Sequence, residues 1–272
     1  MKVLSVFNGL KTHLRDLLPK RYQVPAKYWY SWLRGTLEPE MKFLNLVVQN
    51  NDRVIDVGGN RGVYAYPLWR IGARVEVFEP NPICCDVLTA WADGKRSVNV
   101  HSVALSSHPG TANLHIPMDT AGVEHDASAS IENFGFAHAR HAPVALRTLD
   151  SFGFKDVTLI KIDVEGHEYS VIDGATETLN VWQPALLVEI EQRHCVRPIT
   201  KVFERILGFG YRGFFMRAGE LQALNKFDLA QDQSMQSFNG SSESYINNFL
   251  FLHHARLVAG EYGALVSSQL LK

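Results

Sequence analysis

The sequence predicts one α/β domain built on a mostly parallel sheet, and three observations carry that prediction. Short apolar runs alternate with helix-like stretches from about Val54 onward, the pattern of strand–helix–strand units. The first run carries an acid, Asp56, near its end and then breaks into Gly58-Gly59-Asn60-Arg61-Gly62. A buried parallel strand turns into a helix across a nucleotide-like ligand in this way. The chain has 272 residues, 46% hydrophobic and 20% charged, enough for one globular core with decorations.

Residues 1–50 precede that core and predict a helical cap. Leu4, Phe7, Leu10, Leu14, Leu17 and Leu18 recur at helical spacing among Lys2, Lys11, Arg15, Lys20 and Arg21, with Asp16 the lone acid in residues 1–21. The plain expectation is a helix packed on the domain. The alternative is a basic amphipathic helix touching a membrane surface or a partner. Tyr22, Tyr28, Trp29, Tyr30 and Trp32 follow and suit core packing of the cap; for the last four the alternative is covering the cofactor or stacking on a sugar face.

The domain itself is expected over 51–255. Arg53–Val57, Arg74–Phe78 and Ser97–Val103 read as the first three strands, joined by helices over Tyr64–Ile71 and Ile83–Trp91. Residues 106–148 break the pattern. Short alternating runs around a Gly/Ala/Ser/His-rich stretch predict an inserted β-hairpin or flap. Val157–Ile162 and Ala185–Ile190 read as buried strands, separated by one helix over Glu168–Leu179. A helix over Ile199–Leu207 and strands at Tyr211–Met216 and Asn248–Leu252 complete the sheet, with a polar loop over Asn225–Ser244 and a tail over 256–272.

The first turn excludes a dinucleotide. Counted from Gly58, a Gly-x-Gly-x-x-Gly fingerprint needs glycines at Asn60 and Val63. Asp56 at the strand end would also repel a pyrophosphate, whereas it welcomes a cation. S-adenosylmethionine carries a sulfonium and an ammonium and no phosphate. Glu79 ends the second strand 23 residues later, where a carboxylate accepts bonds from ribose hydroxyls. Together Asp56 and Glu79 favour an adenosyl ligand. A net charge of -1 implies no general attraction to nucleic acid. Three cysteines suit a reducing compartment, so the expected location is the cytoplasm.

A second dense region is Leu159-Ile-Lys-Ile-Asp163-Val-Glu165-Gly-His167-Glu168. It delivers four ionisable groups at a strand's carboxyl edge, where ligands bind in open α/β sheets. Here the chain resembles the FkbM-type methyltransferases, a branch of the class I S-adenosylmethionine-dependent enzymes. The resemblance rests on Val54–Gly62, Phe78-Glu79-Pro80-Asn81, Val103-Ala104-Leu105-Ser106, Thr148-Leu149-Asp150, Ile160–Glu168 with Gly174-Ala175, Pro184–Glu189 and Asn247–Phe251. Gly59 departs from it, standing where the family usually has alanine.

The resemblance implies a Rossmann-like, seven-stranded sheet with the last strand antiparallel, and methyl transfer to a hydroxyl oxygen of a sugar, glycan or polyketide-type product. Carried over by position, Asp56, Gly58, Asn60 and Gly62 would line the methionine part of the cofactor. Glu79 would hold the ribose with Asn81 beside it, Val103 and Ala104 would approach the adenine, and Asp163 would lie near the amino group or the methyl. His167 and Glu165, with Asp163, are the candidate catalytic groups, because a hydroxyl is a weak acid and its proton needs a base.

A divalent metal, magnesium or calcium, is the alternative device, held by Asp163 and Glu189 at strand ends with Glu191 and His194 beyond. Six of the eleven histidines crowd residues 101–141 without a zinc spacing, so surface positions on the flap are expected for them. Among them His125, His138 and His141, like Ser128 and Ser130, are possible acceptor contacts. Two other functions compete: a nicotinamide-dependent sugar-modifying enzyme, or a non-catalytic adenosyl-binding protein. The first lacks a Tyr-x-x-x-Lys pair, since Tyr30 and Tyr66 have Arg34 and Arg70 at that spacing.

Overall fold

The computed structural model describes residues 17–120, 122–135, 137–195, 197–234 and 245–266. The apolar repeat from Leu4 to Leu14, residues 235–244 of the expected polar loop and 267–272 of the tail lie outside them. The chain forms β1 (Arg53–Val57), β2 (Arg74–Phe78), β3 (Val98–His101), β4 (Ala104–Leu105), β5 (Gly110–Pro117), β6 (Ala139–Arg147), β7 (Val157–Ile162), β8 (Ala185–Glu189), β9 (Tyr211–Arg217), β10 (Glu220–Ala223) and β11 (Asn248–His253). The main sheet runs β10-β9-β11-β8-β7-β1-β2-β3.

Neighbours from β8 across to β3 pair in parallel, and β11 is antiparallel to both β8 and β9. The sheet thus has the mostly parallel order with an antiparallel last strand that the resemblance implies. It carries one strand more than expected, because β10 folds back on β9. Ala218 and Gly219 between them both have positive φ, 50° and 80°, as a two-residue hairpin turn matching the strand twist requires. The flap is a separate sheet of order β4-β6-β5, in which β5 and β6 form the expected hairpin.

Helices cover both faces of the main sheet: α1 (Lys20–Leu33), α2 (Ala65–Ile71) and α3 (Pro82–Ala92) on one, α4 (Glu168–Asp173), α5 (Thr176–Trp182) and α6 (Thr200–Leu207) on the other. Alternation along each strand feeds the two layers. Val54, Val75, Leu159 and Leu187 pack with Val24, Leu68, Leu88 and Trp91. Ile55, Ile160, Ile162, Leu186 and Val188 pack with Val171, Ile172, Leu179 and Ile206.

The expected single helix over Glu168–Leu179 is broken into α4 and α5. A Cβ at Gly174 would lie 2.1 Å from the Ser106 carbonyl oxygen, so the chain bends where it meets the base of the flap. Asp150 then caps the new N-terminus, accepting from the Glu177 and Thr178 amides at 2.8 and 2.9 Å. The expected polar loop also contains structure, a turn over Leu224–Lys226 and a short helix over Leu229–Asp232. No helix among the described residues is long and apolar enough to cross a membrane.

Candidate active site

The cleft opens at the carboxyl ends of β1, β2 and β7, with the flap over it and α1 at one side. Gly58 adopts a φ of +78°, and a Cβ there would sit 1.8 Å from the Asp163 carbonyl oxygen. Only glycine lets these strand ends meet. Gly58 and Asn60 line the cleft, as do Asp56, Glu79, Val103, Ala104, Asp163, Glu165 and His167. Gly62 does not line it. Its φ is +72° and its Cβ would meet Val24 Cγ1 at 2.8 Å, so it seats the turn against α1. Gly59 is equally confined, with a Cβ 2.3 Å from Val77 Cγ1.

Glu79 is fixed by backbone amides. Its Oε2 accepts from Asn60 N–H at 2.6 Å and its Oε1 from Asn81 N–H at 2.7 Å. Each oxygen keeps a second lone pair for a ligand hydroxyl. Burial nonetheless pushes its carboxyl up to about 7, the two amides opposing and Asp56 and Asp126 adding to the rise. Asn81 stands behind it, capping α3 by accepting from Ile83 N–H at 3.1 Å.

Behind the turn, Arg61 is only 5% exposed. Its Nε and Nη2 donate to Asp126 Oδ2 on the flap at 2.9 and 2.6 Å, and its Nη1 donates to Gln23 Oε1 on α1 at 3.2 Å. Asn60 Nδ2 donates to the Asp126 carbonyl at 3.0 Å. The only trace of this latch in the sequence is a charged residue inside a glycine turn.

The floor of the cleft is acidic. Lys161 is buried, donates to Asn248 Oδ1 at 3.0 Å and lies 4.8 Å from the centre of the Tyr64 ring. Burial works against its charge, but Asp163, Glu38, Glu189 and Asp56 outweigh that and hold the ammonium above its ordinary range. Burial pushes Asp56 up to about 7, against Lys161 and with Asp163. Asp163 rises to about 6 through burial, opposed by Lys161 and joined by Glu165 and Glu38. Glu189 is raised by burial and then by Asp163. Glu38 accepts from the Tyr64 hydroxyl and from Asn248 Nδ2. Asp56 Oδ2 is buried with no hydrogen-bond partner among the described residues. A buried carboxylate with one oxygen unpartnered, beside four more acids and Lys161, fits a cationic ligand.

The second motif forms the opposite wall. Asp163 N–H donates to the Val57 carbonyl at 3.0 Å, tying the two strand ends together. Glu165 has a φ of +50° and Gly166 one of +98°, and a Cβ on Gly166 would sit 1.9 Å from the His194 carbonyl oxygen. This turn places Glu165 on the cleft wall, and its carboxylate pairs with His194 Nδ1. Burial lowers the His194 pKa, yet the Glu165 hydrogen bond and charge prevail and raise it. His167 is held on both ring nitrogens, Nδ1 at 2.7 Å from Glu132 Oε1 and Nε2 at 3.0 Å from Ser106 Oγ. Ser130 also lines the cleft, and its hydroxyl donates to the Glu165 carbonyl at 2.7 Å.

The alternative metal set is not drawn together. Asp163 hydrogen-bonds Glu189, but Glu191 pairs with Arg193 and accepts from the Tyr245 hydroxyl at 2.7 Å, and His194 is taken by Glu165. No group of three or more His, Cys, Asp or Glu among the described residues is arranged to hold a metal ion. Of the cap aromatics, Trp29, Tyr30 and Trp32 are exposed, while Lys27 and Ser31 of the same helix line the cleft.

The family model for the methyltransferase FkbM domain matches residues 56–212. The methyltransferase sdnD of Sordaria araneosa is 25% identical over 177 residues, 50% of this chain and 68% of that protein. Among solved structures, the methyltransferase FkbM from Methylobacillus flagellatus KT superposes with a TM-score of 0.48 at 16% identity, covering 88% of this chain and 57% of that one. This chain therefore spans little more than half of that protein's length. A TehB-like SAM-dependent methyltransferase from Corynebacterium glutamicum gives a TM-score of 0.40 at 11% identity, covering 84% and 95% of the two chains.

Proposed function

The chain belongs to the methyltransferase FkbM domain family, and from that premise we propose that it transfers the methyl group of S-adenosylmethionine to a hydroxyl oxygen of a sugar, glycan or polyketide-type acceptor. The observation that carries the donor is the buried Asp56 Oδ2, which has no hydrogen-bond partner among the described residues, within an acidic floor around Lys161. A ligand bearing an ammonium and a sulfonium offsets that charge, while a pyrophosphate would meet Asp56, Glu79 and Asp163 together. Asp56, Gly58 and Asn60 would hold the methionine end, Glu79 the ribose hydroxyls, and Val103 and Ala104 the adenine. Bound there, the donor would supply a methyl carbon made electrophilic by its sulfonium.

Transfer would form the bond from acceptor oxygen to carbon as the carbon–sulfur bond breaks with its pair left on sulfur, and the chain's part would be to align the oxygen and take up the hydroxyl proton on a base. We assign that base to Glu165, which lines the cleft and whose carboxylate is held by His194. His167 holds Glu132 and Ser106 and so serves to fix the wall rather than to take the proton. Asp163 sits on the floor and balances the donor's charge. Glu191 and His194 are engaged elsewhere, which supports transfer without a metal. The cysteine content supports work in the cytoplasm.

The test is transfer of radiolabelled methyl from S-adenosylmethionine to a panel of sugars, glycans and polyketide-type alcohols, with and without a chelator. We expect an O-methyl product, no effect of the chelator, and a loss of roughly 100-fold in kcat for Glu165→Gln. Donor binding without turnover on any acceptor would favour a non-catalytic adenosyl-binding protein. Nicotinamide reduction without methyl transfer would overturn the proposal.

A further inference from the structure

Helix α1 has two unlike faces. Val24 and Ser31 are buried against the domain. On the opposite side Tyr22, Trp29, Trp32 and Leu33 are 54, 41, 56 and 75% exposed, with Tyr30 at 48% beside them. Leu17 and Leu18, just before the helix, are exposed as well. At 100° per residue Tyr22, Trp29, Trp32 and Leu33 fall within one sector of the helix. Water is a poor solvent for such a patch, and exposed apolar clusters of this kind mark interaction surfaces.

The charge around the patch identifies the partner. Residues 17–36 contain Lys20, Arg21, Lys27 and Arg34 and no acid; Lys20 pairs with Asp86 of α3 at 2.8 Å and Lys27 lines the cleft, while Arg21, Arg34 and Arg70 of α2 are exposed. Arg21 lies 5.5 Å from the Tyr22 ring centre, and Arg70 of α2 lies 5.9 Å from that of Trp29. Tryptophan and tyrosine beside arginine match a lipid headgroup layer. Their rings have an apolar body and a polar edge, and the cations meet anionic phosphates. A second copy docking on the same patch would bring like charges together. Residues 1–16 are also basic, with Lys2, Lys11 and Arg15 against Asp16, so they match the helix in charge and do not complement it.

We propose that the exposed face of α1 docks on an anionic phospholipid surface. The exposed Arg21, Arg34 and Arg70 draw the chain to the bilayer, and Tyr22, Trp32 and Leu33 enter the headgroup boundary. Lys27 and Ser31 line the cleft from the same helix, so a chain anchored through α1 holds one wall of the cleft near the membrane. This docking is independent of which acceptor or donor the cleft binds.

The test is cosedimentation of the full chain with vesicles of phosphatidylcholine alone and with about one-third phosphatidylglycerol. Two variants accompany it, the triple Tyr22→Ser/Trp32→Ser/Leu33→Ser and a deletion of residues 1–16. All three sites of the triple variant are more than half exposed, so circular dichroism is expected to match the wild type and separates docking from folding. We expect binding to the anionic vesicles that weakens roughly tenfold or more in the triple variant and falls with added salt. The deletion is expected to retain binding through α1. Three results would overturn the proposal: a wild-type chain that stays in the supernatant, a triple variant that binds as well as wild type, or binding that vanishes with residues 1–16 alone. Concentration-dependent dimerisation without lipid that the triple variant abolishes would instead assign the face to a second copy.

Discussion

The Arg61 guanidinium and the Asp126 carboxylate form an ion pair closed to solvent on both sides, their side chains 6 and 9% exposed. It joins the first glycine turn to the flap across the cleft, and it recruits Gln23 from α1. Removing one member of a buried pair leaves the other uncompensated, at a cost of about 3–5 kcal/mol. Asp126→Ala is therefore expected to lower unfolding free energy by that order and to expose residues 106–148 to protease. Denaturant titration and limited proteolysis check both. A flap that stays resistant would mean the ion pair is not what holds it.

Glu79→Gln tests the ribose contact. One carboxylate oxygen becomes an NH2 that faces a backbone donor, either Asn60 N–H or Asn81 N–H. Donor affinity is expected to fall roughly 10- to 100-fold, about 1.4–2.7 kcal/mol. Calorimetry on the folded variant measures it, and unchanged affinity would remove Glu79 from the site.

Stability is expected to depend on pH with a definite sign. Burial, before any other cause, raises Glu40, Asp56, Glu79 and Glu168 to about 7 each. Unfolded carboxyls titrate near 4, so the folded protein holds these protons longer. The stability they lend is complete below about pH 4 and is lost as pH rises through about 7. Urea unfolding of the ligand-free protein is expected to show lower stability at pH 8 than at pH 5. A cationic donor favours the ionised acids, so its stabilising effect is expected to grow over the same interval.

Gly59 yields a prediction of coupling. Its Cβ would meet Val77 Cγ1 at 2.3 Å, so the methyl that the family's usual alanine would bring has its space filled here by Val77. Gly59→Ala alone is expected to cost about 1–3 kcal/mol by overpacking. Val77→Ala alone opens a cavity, and the double variant is expected to cost clearly less than the sum of the two. Additive costs would place the strain elsewhere.

The strands and the Asp56–Glu79 pair were legible in the sequence because each depends on neighbours along the chain: an apolar run, an acid at its end, a glycine break. The β10 hairpin was not, since Glu220–Ala223 has no apolar run and depends on the turn at Ala218-Gly219. The break at Gly174 depends on a contact with Ser106, 68 residues earlier. Long-range pairing hid most of the site's electrostatics as well. Asn248 reaches Glu38 across 210 residues, and Glu132 and Ser106 close on His167 from the flap and its base. Sequence reading singled out His167 as a candidate base by residue type, while its two ring contacts are visible only in the fold.

Isothermal titration at pH 7 tests the central claim most directly, with S-adenosylmethionine, S-adenosylhomocysteine and NAD run in two buffers of different ionisation enthalpy. The expected result is binding of both sulfur ligands and silence with NAD. Proton release is expected to be larger for the sulfonium, because its charge ionises Asp56 and Asp163, which stand at about 7 and 6 without it. No heat with either sulfur ligand, or binding of NAD instead, would contradict the account.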